Sequence, residues 1–243
     1  MSIEKFVNLI LSTLLLYVII KERRCTMTDK DIEKRLIAAP IEPEMTEKKI
    51  REFASELNKY DYYSVIVDEY NLDLTFQLFK KNRVGLIVSY PLGGMTTETK
   101  VRLTEIAVKK GCSEINVCPN YNALKSGDFK TVKNDLKAVF KAANGKLDVV
   151  AVPQVSLMTL EEIKKICDIC LEIGIYMFKT NSGMNLGKSE LEHIQYMRRL
   201  YGDRIKIEVS GGVRNLEQAQ AFVKASADRV HSSTWKQVIG AED

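Results

Sequence analysis

The feature that most limits the folds open to this chain is a regular alternation of short apolar runs with amphipathic helical segments. The alternation begins near Thr28 and continues to the end of the chain. Several runs are continuously apolar, as expected for strands that are buried on both faces of a parallel sheet. The predicted strands cover residues 36–41, 63–67, 84–90, 114–118, 147–152, 175–179, 205–209 and 229–231.

Helix signals separate these strands. Thr46 and Thr96 are predicted N-caps, and the sequence T-L-E-E from Thr159 is close to a capping box. The predicted helices cover residues 48–58, 97–110, 128–143, 159–173, 189–200 and 216–225. Eight strands that alternate with helices predict an α/β fold, the closed, parallel, eight-stranded (β/α)8 TIM barrel. No G-x-G-x-x-G follows the first strand, which disfavours an open, dinucleotide-binding sheet.

The first 26 residues differ in composition from the rest of the chain. Residues 6–20 are mostly apolar, and a charged cluster follows them. A helix of that length extends roughly 22 Å, less than the ~30 Å hydrocarbon core of a membrane. We predict that residues 1–26 are a dispensable leader, that translation starts at Met27, and that 27–243 form a single domain. A membrane anchor through 6–20 is the second interpretation, and a signal peptide is the third.

Composition disfavours several other classes of function. Lys plus Arg exceeds Asp plus Glu by only four (36 against 32), and no basic block contains interleaved aromatic residues. Nucleic-acid binding is therefore not predicted.

The five cysteines have no framework spacing, which indicates a reducing compartment and a cytoplasmic location. Cys167 and Cys170 form a C-x-x-C inside a helical pattern, so we predict core residues rather than a redox pair. No metal-ligand spacing occurs, and no cofactor is predicted.

The residues that end the predicted strands carry the chemical signals, because barrel enzymes act at the carboxyl ends of their strands. Lys179 ends an apolar run, and a lysine at a barrel mouth can form a Schiff base with a carbonyl substrate. A lysine that only reaches solvent is the alternative. Gly211 and Gly212, with the hydroxyls of Ser233 and Thr234, indicate a phosphate site, because glycine lets backbone N–H groups approach an anion closely. Ordinary polar turns are the alternative.

Four motifs resemble those of the deoxyribose-phosphate aldolase family, in the same order and with the same spacing. Residues 91–100 (PLGGMTTETK) look like P-L-G-x-x-T-T-E-x-K, and residues 123–128 (ALKSGD) match A-L-K-S-G-D. Residues 178–183 (FKTNSG) are similar to V-K-T-S-T-G, and residues 210–214 (SGGVR) are similar to S-G-G-I-R. The resemblance covers nearly the whole chain after the leader. It implies a metal-free class I aldolase with the TIM-barrel fold.

The resemblance also implies roles for single residues. Lys179 falls on the lysine that carries the Schiff base. Contacts to the substrate or its phosphate are implied for Thr180, Ser182, Gly211, Gly212, Ser233 and Thr234. The implied partner is a small phosphorylated sugar or aldehyde, and a homodimer is one assembly compatible with such a chain.

The chain departs from the family at polar positions of the predicted pocket. Asn116 aligns with the family's proton-relay aspartate, and Glu208 aligns with its second lysine. Gln154 stands where the family has a glutamate, and residues 37–39 (IAA) replace an Asp-His-Thr stretch. We expect Asn116, Glu208 and Lys179 to be the catalytic set and to point into one cavity at the C-terminal end of the barrel.

The carboxylate at Glu208 predicts a less reactive Lys179. An isolated lysine has a pKa near 10.4, and only its neutral amine is nucleophilic. A neighbouring carboxylate favours the ammonium and raises the pKa of a lysine by roughly 1–3 units. Asn116 cannot accept a proton near neutral pH. Lys206 lies on the same strand face as Glu208, so an ion pair between these two would reduce the effect.

These observations leave three functions open. The first is a working, weak aldolase that acts on a phosphorylated sugar or aldehyde through a Schiff base at Lys179. The second is a catalytically impaired protein that still binds phosphosugars. The third is an interaction protein that uses the barrel as a scaffold. His231 ends the eighth predicted strand, where a structural role and a place in the pocket are both open.

Overall fold

The computed structural model describes residues 28–80 and 83–241. In this part of the chain, eight parallel strands close into a barrel in the order β1 to β8, and each strand pairs with its neighbours in sequence. The TIM-barrel prediction is therefore confirmed. The strands are β1 (Leu36–Ala38), β2 (Ser64–Val67), β3 (Val84–Val88), β4 (Glu114–Val117), β5 (Asp148–Ala151), β6 (Met177–Lys179), β7 (Lys206–Val209) and β8 (Arg229–Ser232).

Helices cover the outside of the barrel. They are α1 (Asp29–Glu33), α2 (Glu47–Leu57), α3 (Leu72–Leu78), α4 (Thr97–Lys110), α5 (Tyr121–Lys125), α6 (Phe129–Ala143), α7 (Leu160–Ile173), α8 (Leu191–Tyr201), α9 (Leu216–Lys224) and α10 (Trp235–Ile239). The six predicted helices are present within two residues at each end. The short helices α1, α3, α5 and α10 lack the periodicity that sequence reasoning uses.

The predicted helix ends are made by the expected side chains. Thr46 and Thr96 each accept a hydrogen bond from the backbone N–H three residues later. Thr159 and Glu162 form a full capping box at the start of α7. Cys167 and Cys170 lie in the middle of α7, fully buried, and burial raises the pKa of both thiols. The C-x-x-C is thus part of the core, as predicted.

Alternating strand residues divide the apolar core in two. The larger cluster lies between the strands and the helices. A small cluster of Ile37, Ala39 and Ile66 lies apart from it, inside the barrel. The rest of the barrel interior is unusually polar, because Glu114, Asn116, Lys179, Glu208 and His231 are all buried. This polar interior positions the candidate site.

The leader prediction falls on residues that lie outside the described part of the chain. Within residues 28–80 and 83–241, no helix has the length and apolar character needed to cross a membrane.

Candidate active site

Lys179 is the last residue of β6, and its side chain lies wholly inside the barrel. Its Nζ donates a hydrogen bond of 3.0 Å to Oδ1 of Asn116. Glu208 is its register partner on the neighbouring strand β7. The ring centroid of Tyr90, just after β3, is 5.9 Å from Nζ. The structure therefore brings the three predicted catalytic residues together around one amine.

Glu208 is held by an arginine that the sequence reasoning did not consider. Arg229, the first residue of β8, donates from Nη1 to Oε1 of Glu208 at 2.6 Å. The same Nη1 is 3.7 Å from Oε2 of Glu114, and the guanidinium stacks 3.7 Å from the ring centroid of Tyr63. Ser64 donates a hydrogen bond of 2.7 Å to Oε1 of Glu114. One fixed cation thus compensates two buried carboxylates.

Lys206, which the sequence offered as one possible partner of Glu208, pairs with Asp228 instead. Nζ of Lys206 lies 3.3 Å from Oδ1 of Asp228, and the lysine side chain is 45% exposed. Lys206 begins β7, so its side chain leaves the barrel at the amino-terminal end. Inside the barrel, Arg229 is the cation that pairs with Glu208.

Glu208 favours the charged form of Lys179, as expected, but the expected net increase in the pKa of Lys179 is wrong. Burial lowers the pKa of Lys179 to about 8, and this effect exceeds the opposing pull of Glu208, Glu114 and Cys118. Removing an ammonium from water disfavours its charged form strongly. The carboxylate of Glu208 is partly neutralised by its ion pair with Arg229. The geometry therefore favours a reactive amine at Lys179.

Besides Oε2 of Glu114, which lies 3.7 Å from Nη1 of Arg229, four polar atoms around Lys179 have no hydrogen-bond partner among the described residues. They are Tyr90 Oη, Asn116 Nδ2, Glu208 Oε2 and His231 Nε2. Each belongs to a side chain that contacts Lys179 or affects its electrostatic environment. Buried polar groups without a partner are rare in folded proteins, and catalytic sites are a common reason for them. These four atoms identify the layer around Lys179 as a candidate site of chemistry.

A cavity of about 570 Å³ opens at the carboxyl ends of β7 and β8. The predicted contact residues Ser182, Gly211, Gly212, Ser233 and Thr234 all line it. The catalytic set was expected to line the same cavity, and here the structure differs. Lys179, Asn116 and Glu208 are fully buried and are not among its lining residues. The catalytic set thus lies in the closed interior of the barrel, and His231 and Ser210 line the cavity.

Thr180 does not line the cavity either, in contrast to its predicted contact role. Its Oγ1 accepts a hydrogen bond from the backbone N–H of Ser210 and lies 2.7 Å from Oγ of Ser189. Ser182 does line the cavity, and both its N–H and its hydroxyl donate to Oε1 of Gln154. Thr180 and Gln154 therefore hold the loop after β6 in position.

Gly211 and Gly212 adopt φ values of +88° and +84°, which side chains with a Cβ rarely adopt. A Cβ on Gly212 would lie 3.0 Å from Cγ of Lys188. Lys188 and Arg214 line the cavity beside these glycines, as does one carboxylate, Glu42. Two cations next to glycine N–H groups suit a phosphate.

His231 joins the cavity to the interior layer. It lines the cavity, and its Nδ1 lies 3.2 Å from Oγ of Ser210. Burial, together with the charge of Lys179, holds the pKa of His231 well below its usual range. The ring is therefore neutral at physiological pH.

Sequence reasoning missed Tyr90, Lys188, Arg214 and Arg229 as site residues. Arg229 carried a signal, because it lies two residues before His231 in the same strand and so on the same face. The sequence contains no signal for Lys188, since the loop that positions this residue is irregular.

No group of three or more His, Cys, Asp and Glu side chains among the described residues could hold a metal ion.

A parallel (β/α)8 barrel with a buried lysine at the end of its sixth strand, beside a glycine-lined cavity, defines the class of barrel aldolases. Comparison with known proteins gives the family. The chain belongs to the DeoC/LacD family of aldolases, whose model matches residues 28–237.

Relatives and solved structures agree with this assignment. The chain is 32% identical to the deoxyribose-phosphate aldolase of a Thermoanaerobacter species over 213 residues, which covers 86% of this chain and 96% of that protein. It is 35% identical to the enzyme of the same name from Exiguobacterium sibiricum, covering 79% of this chain and 88% of that protein. The solved structure of the aldolase QR15 superposes with a TM-score of 0.82 at 30% identity, covering 86% and 95% of the two chains.

Proposed function

We propose that this protein is a carbon-carbon lyase of the deoxyribose-phosphate aldolase type, which forms a Schiff base through Lys179. The observation that carries the proposal is the burial of Lys179, which lowers the pKa of its amine to about 8. At pH 7, about a tenth of such a lysine is neutral, against about 0.04% for a free lysine. The neutral amine attacks the carbonyl carbon of an aldehyde, and loss of water gives the Schiff base.

The proposed substrate is a small phosphorylated sugar or aldehyde, bound in the cavity at the ends of β7 and β8. Its phosphate would accept hydrogen bonds from the region of Gly211 and Gly212 and from Ser233 and Thr234. Lys188 and Arg214 would compensate its charge. Ser182 and His231 line the same cavity, and the charge of Lys179 acts on the ring of His231. The carbonyl end of the substrate would extend from there toward Lys179.

Asn116 is proposed as a positioning residue. Its Oδ1 accepts the hydrogen bond that fixes Nζ of Lys179. An amide cannot transfer protons as the family's aspartate does. This replacement is also the observation that favours the second candidate function, a phosphosugar-binding protein with impaired catalysis.

The remaining proposals concern context. Residues 27–243 form the catalytic domain, and no cofactor takes part in the reaction. The protein acts in the cytoplasm and assembles as a homodimer. Sedimentation of the purified protein measures the number of subunits in this assembly.

One assay separates the two candidate functions. Deoxyribose 5-phosphate is incubated with the wild type and with Lys179→Ala, and acetaldehyde release is followed with a coupled reductase. Lysine-dependent release supports the aldolase. If calorimetry shows that both proteins bind the phosphosugar and neither releases acetaldehyde, the binding protein is the better description.

A further inference from the structure

We propose that Glu208 is the proton-transfer residue of this aldolase, in place of the aspartate that Asn116 has replaced. This inference rests on the proposed Schiff-base function. It assigns to Glu208 a role opposite to the one that its charge suggests from the sequence, where it opposes the reactivity of Lys179.

The geometry of Glu208 suits a general base. Its strand is hydrogen-bonded to β6, and the residue is in register with Lys179. Oε1 is fixed by Arg229 at 2.6 Å, whereas Oε2 is buried and has no hydrogen-bond partner among the described residues. One oxygen therefore orients the carboxyl group, and the other is available to a bound substrate. A base must lie within hydrogen-bond reach of the proton that it moves, and neighbouring strands provide such proximity.

The charged and titratable groups around Glu208 set its proton affinity. Burial and the neighbouring Glu114 raise the pKa of Glu208 to about 8, against the opposing effects of Arg229 and Lys179. A carboxyl group of this kind exchanges protons near neutral pH, as efficient general acid–base catalysis requires. The titratable and charged side chains of the layer are Lys179 on β6, Glu114 on β4, Arg229 and His231 on β8, and Tyr63, Tyr90 and Cys118 at strand ends.

The other candidates in the layer are less suited to this task. Burial raises the pKa of Tyr90 well above its usual range, so its hydroxyl does not ionise near pH 7. The pKa of His231 is held so low that its ring does not gain a proton. Asn116 has no titratable proton in this range. Glu114 is also a buried carboxyl group with an oxygen that has no hydrogen-bond partner within the described part of the chain, but it begins β4, at the amino-terminal end of its strand, and faces Ser64. Glu208 is the carboxyl group that is in register with Lys179.

The proposed steps conserve atoms and electrons. The amine of Lys179 attacks the carbonyl carbon, and the π pair of the carbonyl moves to oxygen. Protonated Glu208 gives its proton to the alkoxide oxygen, which becomes the carbinolamine hydroxyl, and the Glu208 carboxylate then takes a proton from the nitrogen. It returns this proton to the hydroxyl, which leaves as water while the nitrogen lone pair forms the C=N bond, so that Glu208 ends as a carboxylate. Glu208 then removes a proton from the carbon next to the iminium, and the C–H pair becomes the enamine double bond. When the enamine attacks a second aldehyde, Glu208 returns this proton to the new alkoxide.

The test measures two properties with acetaldehyde as the probe. Borohydride trapping, read as the mass gain of an ethyl group on Lys179, reports the Schiff base. Exchange of the acetaldehyde methyl protons in D2O reports carbon deprotonation, with Lys179→Ala as the background. For Glu208→Gln, we expect the exchange per trapped adduct to fall by about 100-fold or more.

Two further variants keep the test decisive if Glu208→Gln fails to fold. Glu208→Asp retains the carboxylate beside Arg229 but withdraws it by one methylene, so exchange per adduct should fall by about tenfold or more. Glu114→Gln is the matched control, because it removes a buried carboxylate from the same arginine. Its pH profile shifts, since Glu114 raises the pKa of both Lys179 and Glu208, but exchange at its optimum persists.

The outcomes separate the two proposals. If the wild type traps acetaldehyde at Lys179 and Glu208→Gln exchanges protons as well as the wild type does, the role of Glu208 is wrong and the aldolase function stands. A rise in both trapping and exchange in Glu208→Gln would also overturn the role, because it would show that the carboxylate only opposes the amine. If the wild type traps no acetaldehyde, the Schiff-base function fails, and the role of Glu208 fails with it.

Discussion

The cavity at the ends of β7 and β8 and the buried layer around Lys179 are neighbours in one barrel, yet they are built differently. The cavity is lined by glycines and hydroxyls at positions that match the family's, with Lys188 and Arg214 beside them. The buried layer keeps the lysine, but Asn116 and Glu208 stand where the family motifs have an aspartate and a second lysine. In the proposed function, recognition and proton transfer would thus use separate surfaces of the site. A chain can therefore keep the residues that line the cavity while the residues around Lys179 change.

The largest expected effect comes from closing the cavity. Gly212→Asp puts a residue with a Cβ at a backbone position of positive φ. Its side chain would contact Lys188 and place a carboxylate where the phosphate would bind. Each charge-assisted hydrogen bond that is lost costs about 1.5–3 kcal/mol, so phosphosugar binding should weaken by about 100-fold or more. Calorimetric titration measures this effect.

Gly127→Asp provides the matched control. Gly127 also has a positive φ of +73°, but a Cβ added there would meet no atom of the described residues within 4 Å, and Gly127 does not line the cavity. It should reproduce the backbone strain and leave binding intact. If both variants lose binding equally, strain rather than the phosphate site explains the effect. Acetaldehyde trapping at Lys179 should persist in Gly212→Asp, because the buried layer is separate from the cavity.

The second prediction concerns the buried layer. Asn116→Asp places a carboxylate at the atom that accepts the hydrogen bond of Lys179, 3.0 Å away. An opposite charge at this distance raises the pKa of the lysine, and each unit removes about tenfold of the neutral amine. Trapping at pH 7 should therefore fall by about tenfold or more, and its pH midpoint should move upward.

The isosteric pair isolates this charge effect, since Asn and Asp differ little in shape. Phosphosugar binding to Asn116→Asp should stay unchanged, which calorimetry can verify. An increase in trapping would instead mean that proton transfer at this position, rather than the charge state of Lys179, limits the reaction.

The smallest effect is expected at Lys188. Its ammonium is exposed to solvent, so its attraction for a phosphate is screened by water and salt. Lys188→Met should weaken phosphosugar binding by about two- to fivefold, and the loss should shrink as salt is added. Titrations at low and high salt measure both effects. A loss that does not depend on salt would indicate that the lysine stem, which packs over Gly212, shapes the cavity instead.

The sequence predicted the barrel and the position of Lys179 well, because both depend on local patterns. Continuous apolar runs located the strands, and the rule that barrel chemistry lies at strand ends located Lys179 and Gly212. The ion pair of Glu208 with Arg229 was not predicted, since it joins residues on different strands. The pKa of Lys179 was misjudged for a related reason. A carboxylate next to Lys179 can be read from a sequence, but the full burial that outweighs it follows only from the closed barrel.

The most direct test of the central claim is the pH dependence of Schiff-base formation at Lys179. The wild type is incubated with acetaldehyde and borohydride from about pH 6 to about pH 10.5, a range that spans a buried and a free lysine. Adduct at Lys179 is quantified by peptide mass mapping, with Lys179→Ala as control. If burial lowers the pKa as the structure indicates, initial trapping rates should rise with a midpoint near pH 8. A midpoint at or above about 10.4, the value of a free lysine, would show that the ammonium of Lys179 is not destabilised and would contradict the account.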